Sequence, residues 1–241
     1  MRQALVFTLC AALAAFAATV PAAATERPRA VVELFTSQGC SSCPPADRLF
    51  SELVGRTDLV ALSYSVDYWD YLGWKDTLAT PANSARQRGY AEARGDRAVY
   101  TPQMVVNGAR HLVGSDRRAL TRGLAEADAL PARVELKRQG DLIEIHVTGE
   151  LPPAVRMATV YFLGIGRRVE VAIGRGENTG RRIAYSNVVR DIRAVGMWEG
   201  GRAVFRLPVS EVRKSGASNC AALVQVEIRG RPGPILGAGF L

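Results

Sequence analysis

Val31-Val32-Glu33-Leu34-Phe35-Thr36-Ser37-Gln38-Gly39-Cys40-Ser41-Ser42-Cys43-Pro44-Pro45-Ala46 is the stretch whose reading decides the fold. Its first five residues predict a short buried strand, apolar except for one acid. After the two prolines, Ala46, Leu49, Phe50, Leu53 and Val54 recur at three-to-four spacing, which predicts a helix. Proline is at home in that first turn, where no intrahelical donor is needed. The cysteine pair therefore stands where a strand gives way to a helix. Leu59 to Val66 makes a second buried strand, parallel to the first by the crossover rule.

Downstream, residues 67–97 form a polar and aromatic insertion with a helix from about Pro81 to Arg94. Tyr64, Tyr68, Trp69, Tyr71 and Trp74 cluster there around Asp67, Asp70 and Asp76. Such a cluster makes either a satellite core or the wall of a groove beside the cysteines. Tyr100-Thr101-Pro102 precedes a strand at 103–106, and Asn107-Gly108 is a two-residue hairpin turn into residues 109–113. Ser115 is the expected N-cap of a helix running to about Ala129.

Upstream, Arg2 and the apolar run from Ala4 to Ala18 read as a signal peptide, cut after Ala24 behind Ala22-Ala23-Ala24. Cys10 would leave with residues 1–24. No later run is long and apolar enough to span a bilayer. The expected location is periplasmic or secreted, where disulfides persist and Cys40, Cys43 and Cys220 remain.

Residues 133–241 give strand-like runs at 134–137, 142–148, 157–163, 169–173, 203–207 and 222–228, without a long helical stripe. This predicts an all-β sandwich. Of the chain's net charge of +8, +7 resides in this half: residues 25–132 hold 13 Lys+Arg against 13 Asp+Glu, and residues 133–241 hold 17 against 10. The charge is spread through strands and turns without a recognition helix or stacking platform, so no specific nucleic-acid binding is expected. Gly174-Arg-Gly-Glu-Asn-Thr-Gly180 has the wrong glycine spacing for a dinucleotide loop, and Arg175 to Arg182 reads as a solvated hairpin. Cys220 reads as a small buried hydrophobe.

Strand, helix, strand, helical insertion, hairpin and helix, with Cys40-Ser-Ser-Cys43 after the first strand and Thr101-Pro102 before the hairpin, resemble the thioredoxin superfamily. GCSSCPPAD, SVDYWDYLGWKD, YTPQMVVNG and GRGENTGRR together resemble a family of uncharacterised secreted bacterial proteins with a thioredoxin-like domain. The resemblance implies an α/β thioredoxin-like N-terminal domain (30–131), followed by the all-β sandwich as a C-terminal domain (133–241). It also implies that Pro102 is cis and lies beside the cysteines, with Thr101 offering its backbone to a substrate strand.

Two cysteines two residues apart at a helix start can close a small ring, and the helix amides favour a thiolate at Cys40. Cys40 is then the expected nucleophile, exposed to solvent, and Cys43 the shielded resolving thiol. Glu33, on the strand face of Val31 and Phe35, is either a buried proton acceptor on the Cys43 side or a solvent-facing edge residue. An inert structural disulfide competes with this reading. A Cu or Zn carrier also competes, but the chain has only two histidines and no second CxxC. The expected activity is thiol–disulfide exchange on a protein or peptide thiol with an unidentified redox partner, requiring neither cofactor nor metal. The alternative is a non-enzymatic secreted binding protein.

Overall fold

The computed structural model describes residues 27–214 and 216–241. The segment 1–24 expected to be a signal peptide, with Cys10, lies outside the described residues. The first elements follow the sequence pattern closely. Strand β1 is Ala30–Thr36, helix α1 Pro44–Val54, strand β2 Leu59–Ser65 and helix α2 Pro81–Arg94. A hairpin of β3 (Gln103–Val106) and β4 (Arg110–Val113) precedes helix α3 (Arg117–Ala125). Its turn residues Asn107 and Gly108 both have positive φ, as a tight two-residue hairpin requires. The cap of α3 is Asp116 rather than Ser115: its carboxylate accepts the Ala119 N–H at 2.9 Å.

The second half contributes β5 (Ala132–Gln139), β6 (Leu142–Gly149), β7 (Ala158–Ala172), β8 (Arg182–Trp198) and β9 (Ala203–Pro208). A short helix α4 (Ser210–Lys214), β10 (Asn219–Ile228) and β11 (Arg231–Phe240) complete it. These strands overturn the expected pairing of an α/β thioredoxin-like domain with a separate all-β sandwich. The protein is mostly β, and its main sheet is one mixed eight-stranded layer in the order β11-β10-β7-β8-β2-β1-β3-β4. Strands β5, β6 and β9 form a three-stranded second layer.

Strand length explains the join. Strands of five to six residues are usual, whereas β7 and β8 span 15 and 17. They outrun the second layer, and β8 comes to lie parallel to β2 at Ser63 and Val188. There the Ser63 hydroxyl donates to the Ser186 carbonyl at 2.9 Å, and the Asn187 amide donates to the Ala61 carbonyl at 3.0 Å. The junction covers an edge of β2 that a free-standing domain would leave open.

Three large apolar clusters fill the layers, beside a smaller one around Leu78, Tyr185 and Val188. Helices α1 and α3 cover one face of β1, β2 and β3 through Val32, Leu34, Phe50, Met104 and Leu120. The opposite face packs Val31, Phe35, Leu62 and Tyr90 against residues of β7, β10 and β11. The third cluster lies between the two layers, around Ile143, Ile145, Phe162 and Trp198. At Gly237 and Gly239 the backbone of β5 comes so close that an added Cβ would stand 2.5 Å from the Ala132 and Val134 carbonyl oxygens. Only glycine fits such an approach.

Glu33 sits on the α2 face and has no exposed surface. Its carboxylate accepts from Arg86 Nε at 2.8 Å and from the Tyr90 hydroxyl in a short hydrogen bond. Arg86 also donates to Tyr90 and to Gln225 of β10, both at 2.9 Å. One network thus ties β1, α2 and β10. Truncating one partner strands a buried charge, so Arg86→Met should cost about 3–5 kcal/mol, and adding Glu33→Leu should recover much of that loss. Urea denaturation of the single and double variants checks this; simple additivity of the two losses would contradict it.

Candidate functional site

Cys40 and Cys43 form a disulfide at the start of α1. Cys43 is the N-cap, and its carbonyl accepts the Ala46 N–H at 2.8 Å and the Asp47 N–H at 3.1 Å. Pro44 and Pro45 open the helix without needing donors. The Thr101–Pro102 peptide is cis, and Cys40 Sγ lies 3.8 Å from the Thr101 carbonyl oxygen. The Trp69 indole N–H donates to the Thr101 hydroxyl at 2.8 Å. Tyr71, 77% exposed, stacks on Trp69. The structure thus brings together Cys40, Cys43, Thr101 and Pro102.

Glu33 is not among them. Alternation places it with Val31 and Phe35, but that face meets α2, whereas α1 and the cysteines lie on the other face. Its oxygens are engaged by Arg86 and Tyr90. The expected exposure of Cys40 also fails: Cys40 is 2% exposed and Cys43 fully buried, while Ser41 and Ser42 face solvent.

The cover comes from the segment joining β7 to β8, a finding that corrects the expectation of a solvated hairpin there. Asn178 is buried, and its amide donates to the carbonyls of Gln38 and Cys40, each at 2.9 Å. Glu177 accepts the Ser41 N–H at 3.2 Å. On the other side, Trp74 donates to the Gln38 side chain at 2.8 Å, and Asp76 accepts the Gln38 N–H at 2.8 Å. The cysteine loop is clamped between the aromatic insertion and residues 174–181.

The acid beside the cysteines is Asp47, one helical turn after Cys43. It is buried, accepts from the Thr36 hydroxyl at 2.8 Å through Oδ1, and leaves Oδ2 without a partner. Burial raises its carboxyl to about 7; the Thr36 hydrogen bond opposes this and Asp76 adds to it. Burial likewise lifts Asp76 to about 6, against three backbone N–H bonds. The sequence signal for Asp47 was its place four residues after Cys43, one turn on and on the same helical side. For Asn178 the signal was only its presence in GRGENTGRR. Among the described residues no group of three His, Cys, Asp or Glu side chains is placed to hold a metal ion. No described helix is long and apolar enough to cross a membrane.

A carboxyl raised from 3.8 to about 7 favours the fold while protonated and withdraws that support as pH climbs through the interval. The loss approaches roughly 4 kcal/mol, at about 1.4 kcal/mol per unit. Asp47→Asn should therefore flatten the decline in stability between pH 4 and 8, and profiles parallel to the wild type would refute the assignment. Removing the Asn178 amide deletes two hydrogen bonds of about 1 kcal/mol each. Asn178→Ala should speed reduction of Cys40–Cys43 by dithiothreitol on the order of tenfold; an unchanged rate would mean that the segment does not control access.

The chain is similar to a crystal structure of a protein from Agrobacterium tumefaciens, with 39% identity over 90% of this chain and 96% of that one and a TM-score of 0.80. HBP35 of Porphyromonas gingivalis shares the fold at 12% identity, with a TM-score of 0.58 over 89% of this chain and 75% of that one. Among curated proteins none matches. A family model matches residues 31–225, and the chain belongs to that family, described as a protein of unknown function, DUF1223.

Proposed function

We propose that the protein is a thiol–disulfide oxidoreductase acting on protein or peptide thiols in a periplasmic or extracellular compartment. The observation that carries this reading is the placement of Cys40–Cys43 at the α1 start with Cys40 Sγ against the Thr101 carbonyl. Helix-terminal amides stabilise a thiolate there, which makes Cys40 both a good attacker and a good leaving group. In the oxidising direction a substrate thiolate attacks Cys40 Sγ, the Cys40–Cys43 bond breaks, and Cys43 leaves as a thiolate that takes up a proton. A second substrate thiolate then attacks the substrate sulfur of the mixed disulfide and releases Cys40. The substrate loses two electrons and the cysteine pair gains them. Asp47, near neutrality and one turn from Cys43, is the acid that supplies or accepts the Cys43 proton, the role that Glu33 does not fill. Thr101 and Pro102 border the site as substrate-positioning residues, with Trp69 and Tyr71 extending that border. An oxidised pair suits a compartment outside the cytoplasm.

One observation favours an inert structural disulfide instead: neither sulfur is open to solvent. The two readings part on asymmetry. In a Cys220→Ala background, Cys43→Ser should accumulate mixed disulfides through Cys40, and Cys40→Ser should trap little. Equal trapping by both, or none by either, on non-reducing gels and mass spectrometry would sink the oxidoreductase reading.

A further inference from the structure

A cavity of about 720 Å³ lies alongside α1, between that helix and the base of the β7–β8 hairpin. This is within the size range of small-molecule sites. Arg48 of α1 and Arg168, Arg181 and Arg182 of the hairpin line it, with Asp47 and Ser51. Arg168 is held by Glu170 at 2.9 Å. Arg48, Arg181 and Arg182 make no ion pair among the described residues. Like charges gathered in one concavity focus a positive potential and call for a counter-ion. The one carboxyl in the lining is buried Asp47, whose Oδ2 has no partner.

We propose that this cavity is a binding site for a small oxyanion ligand, carrying carboxylate or phosphate groups, gripped by Arg48, Arg181 and Arg182. Guanidinium groups are the side chains best matched to such groups, because their planar fork donates two parallel hydrogen bonds. Asp47 opposes an anion less than an ordinary carboxylate would. Facing Thr36 of β1, Asp76, Arg48 and Tyr185 of β8, its carboxyl is raised to about 7 by burial and is only partly ionised at neutrality. A bound anion would bridge α1 to the hairpin whose Asn178 covers Cys40, linking ligand binding to access to the disulfide. The site shares Asp47 with the proposed thiol chemistry, but its grip on the anion rests on the three arginines and not on either sulfur.

The test is isothermal titration of the full protein with inorganic phosphate and, separately, citrate, in buffer of fixed ionic strength set with NaCl. Saturable binding of either probe is expected, weakened at least tenfold by Arg181→Gln with Arg182→Gln and unaffected by Arg117→Gln, an exposed arginine paired with Glu52 on α1. Which probe binds more tightly separates a phosphate-bearing from a carboxylate-bearing ligand. Absence of saturation with both probes, or equal weakening by Arg117→Gln, would overturn the proposal. Circular dichroism and intact Cys40–Cys43 in each variant exclude misfolding as the cause. Mixed-disulfide trapping is scored separately, so failure of the oxidoreductase reading leaves this result interpretable.

Discussion

The Glu33–Arg86 pair is the constraint around which the layers are arranged. A carboxylate in the middle of a fully buried strand costs several kcal/mol unless a charge and hydrogen bonds meet it there. Arg86 can do so only if α2 lies against that face of the sheet, and Arg86 in turn needs Gln225, which brings β10 to the same place. Gln225 also donates to the Tyr90 hydroxyl at 2.8 Å and to the Gly233 carbonyl at 2.7 Å, so the β10–β11 end is fixed by the same group of side chains. The network gives the two halves of the chain a shared interior and removes Glu33 from the disulfide's chemistry.

Local pattern carried residues 31–108 well. Buried strands at 31–35 and 59–66, the helix behind Pro44-Pro45 and the Asn107-Gly108 turn depend on short-range sterics and apolar spacing, and the structure keeps them. The larger architecture depends on what strands meet, which spacing does not encode. Strand β8 carries Arg190, Asp191 and Arg193 beside Ser186 and Asn187, so its apolar alternation is broken where it leaves the second layer to join β2. Strand β11 reads as a loop because Pro232, Pro234 and several glycines punctuate it. Two of those glycines are there because β5 passes too close for a side chain. Missing both strands made one sheet look like two domains.

The candidate site was half legible for the same reason. Cys40, Cys43, Thr101 and Pro102 are assembled by elements near in sequence or by a recognisable motif. Alternation correctly put Glu33 with Val31 and Phe35, but a strand does not announce which of its faces a helix will cover. Asn178 reaches the Cys40 carbonyl from 138 residues away, and its importance emerges only when β7 and β8 extend past the second layer. That long reach also reverses the expected exposure of Cys40.

Whether the covered disulfide exchanges decides between an enzyme and a structural staple. Equilibration of the wild-type protein with thiol buffers of graded potential, followed by alkylation and mass analysis, gives the reduction potential of Cys40–Cys43 directly. A thiolate favoured by the start of α1 and a proton held near neutrality by Asp47 predict a value above about −300 mV, among those of exchanging pairs. A value well below about −300 mV would make the bond a structural staple and contradict the account.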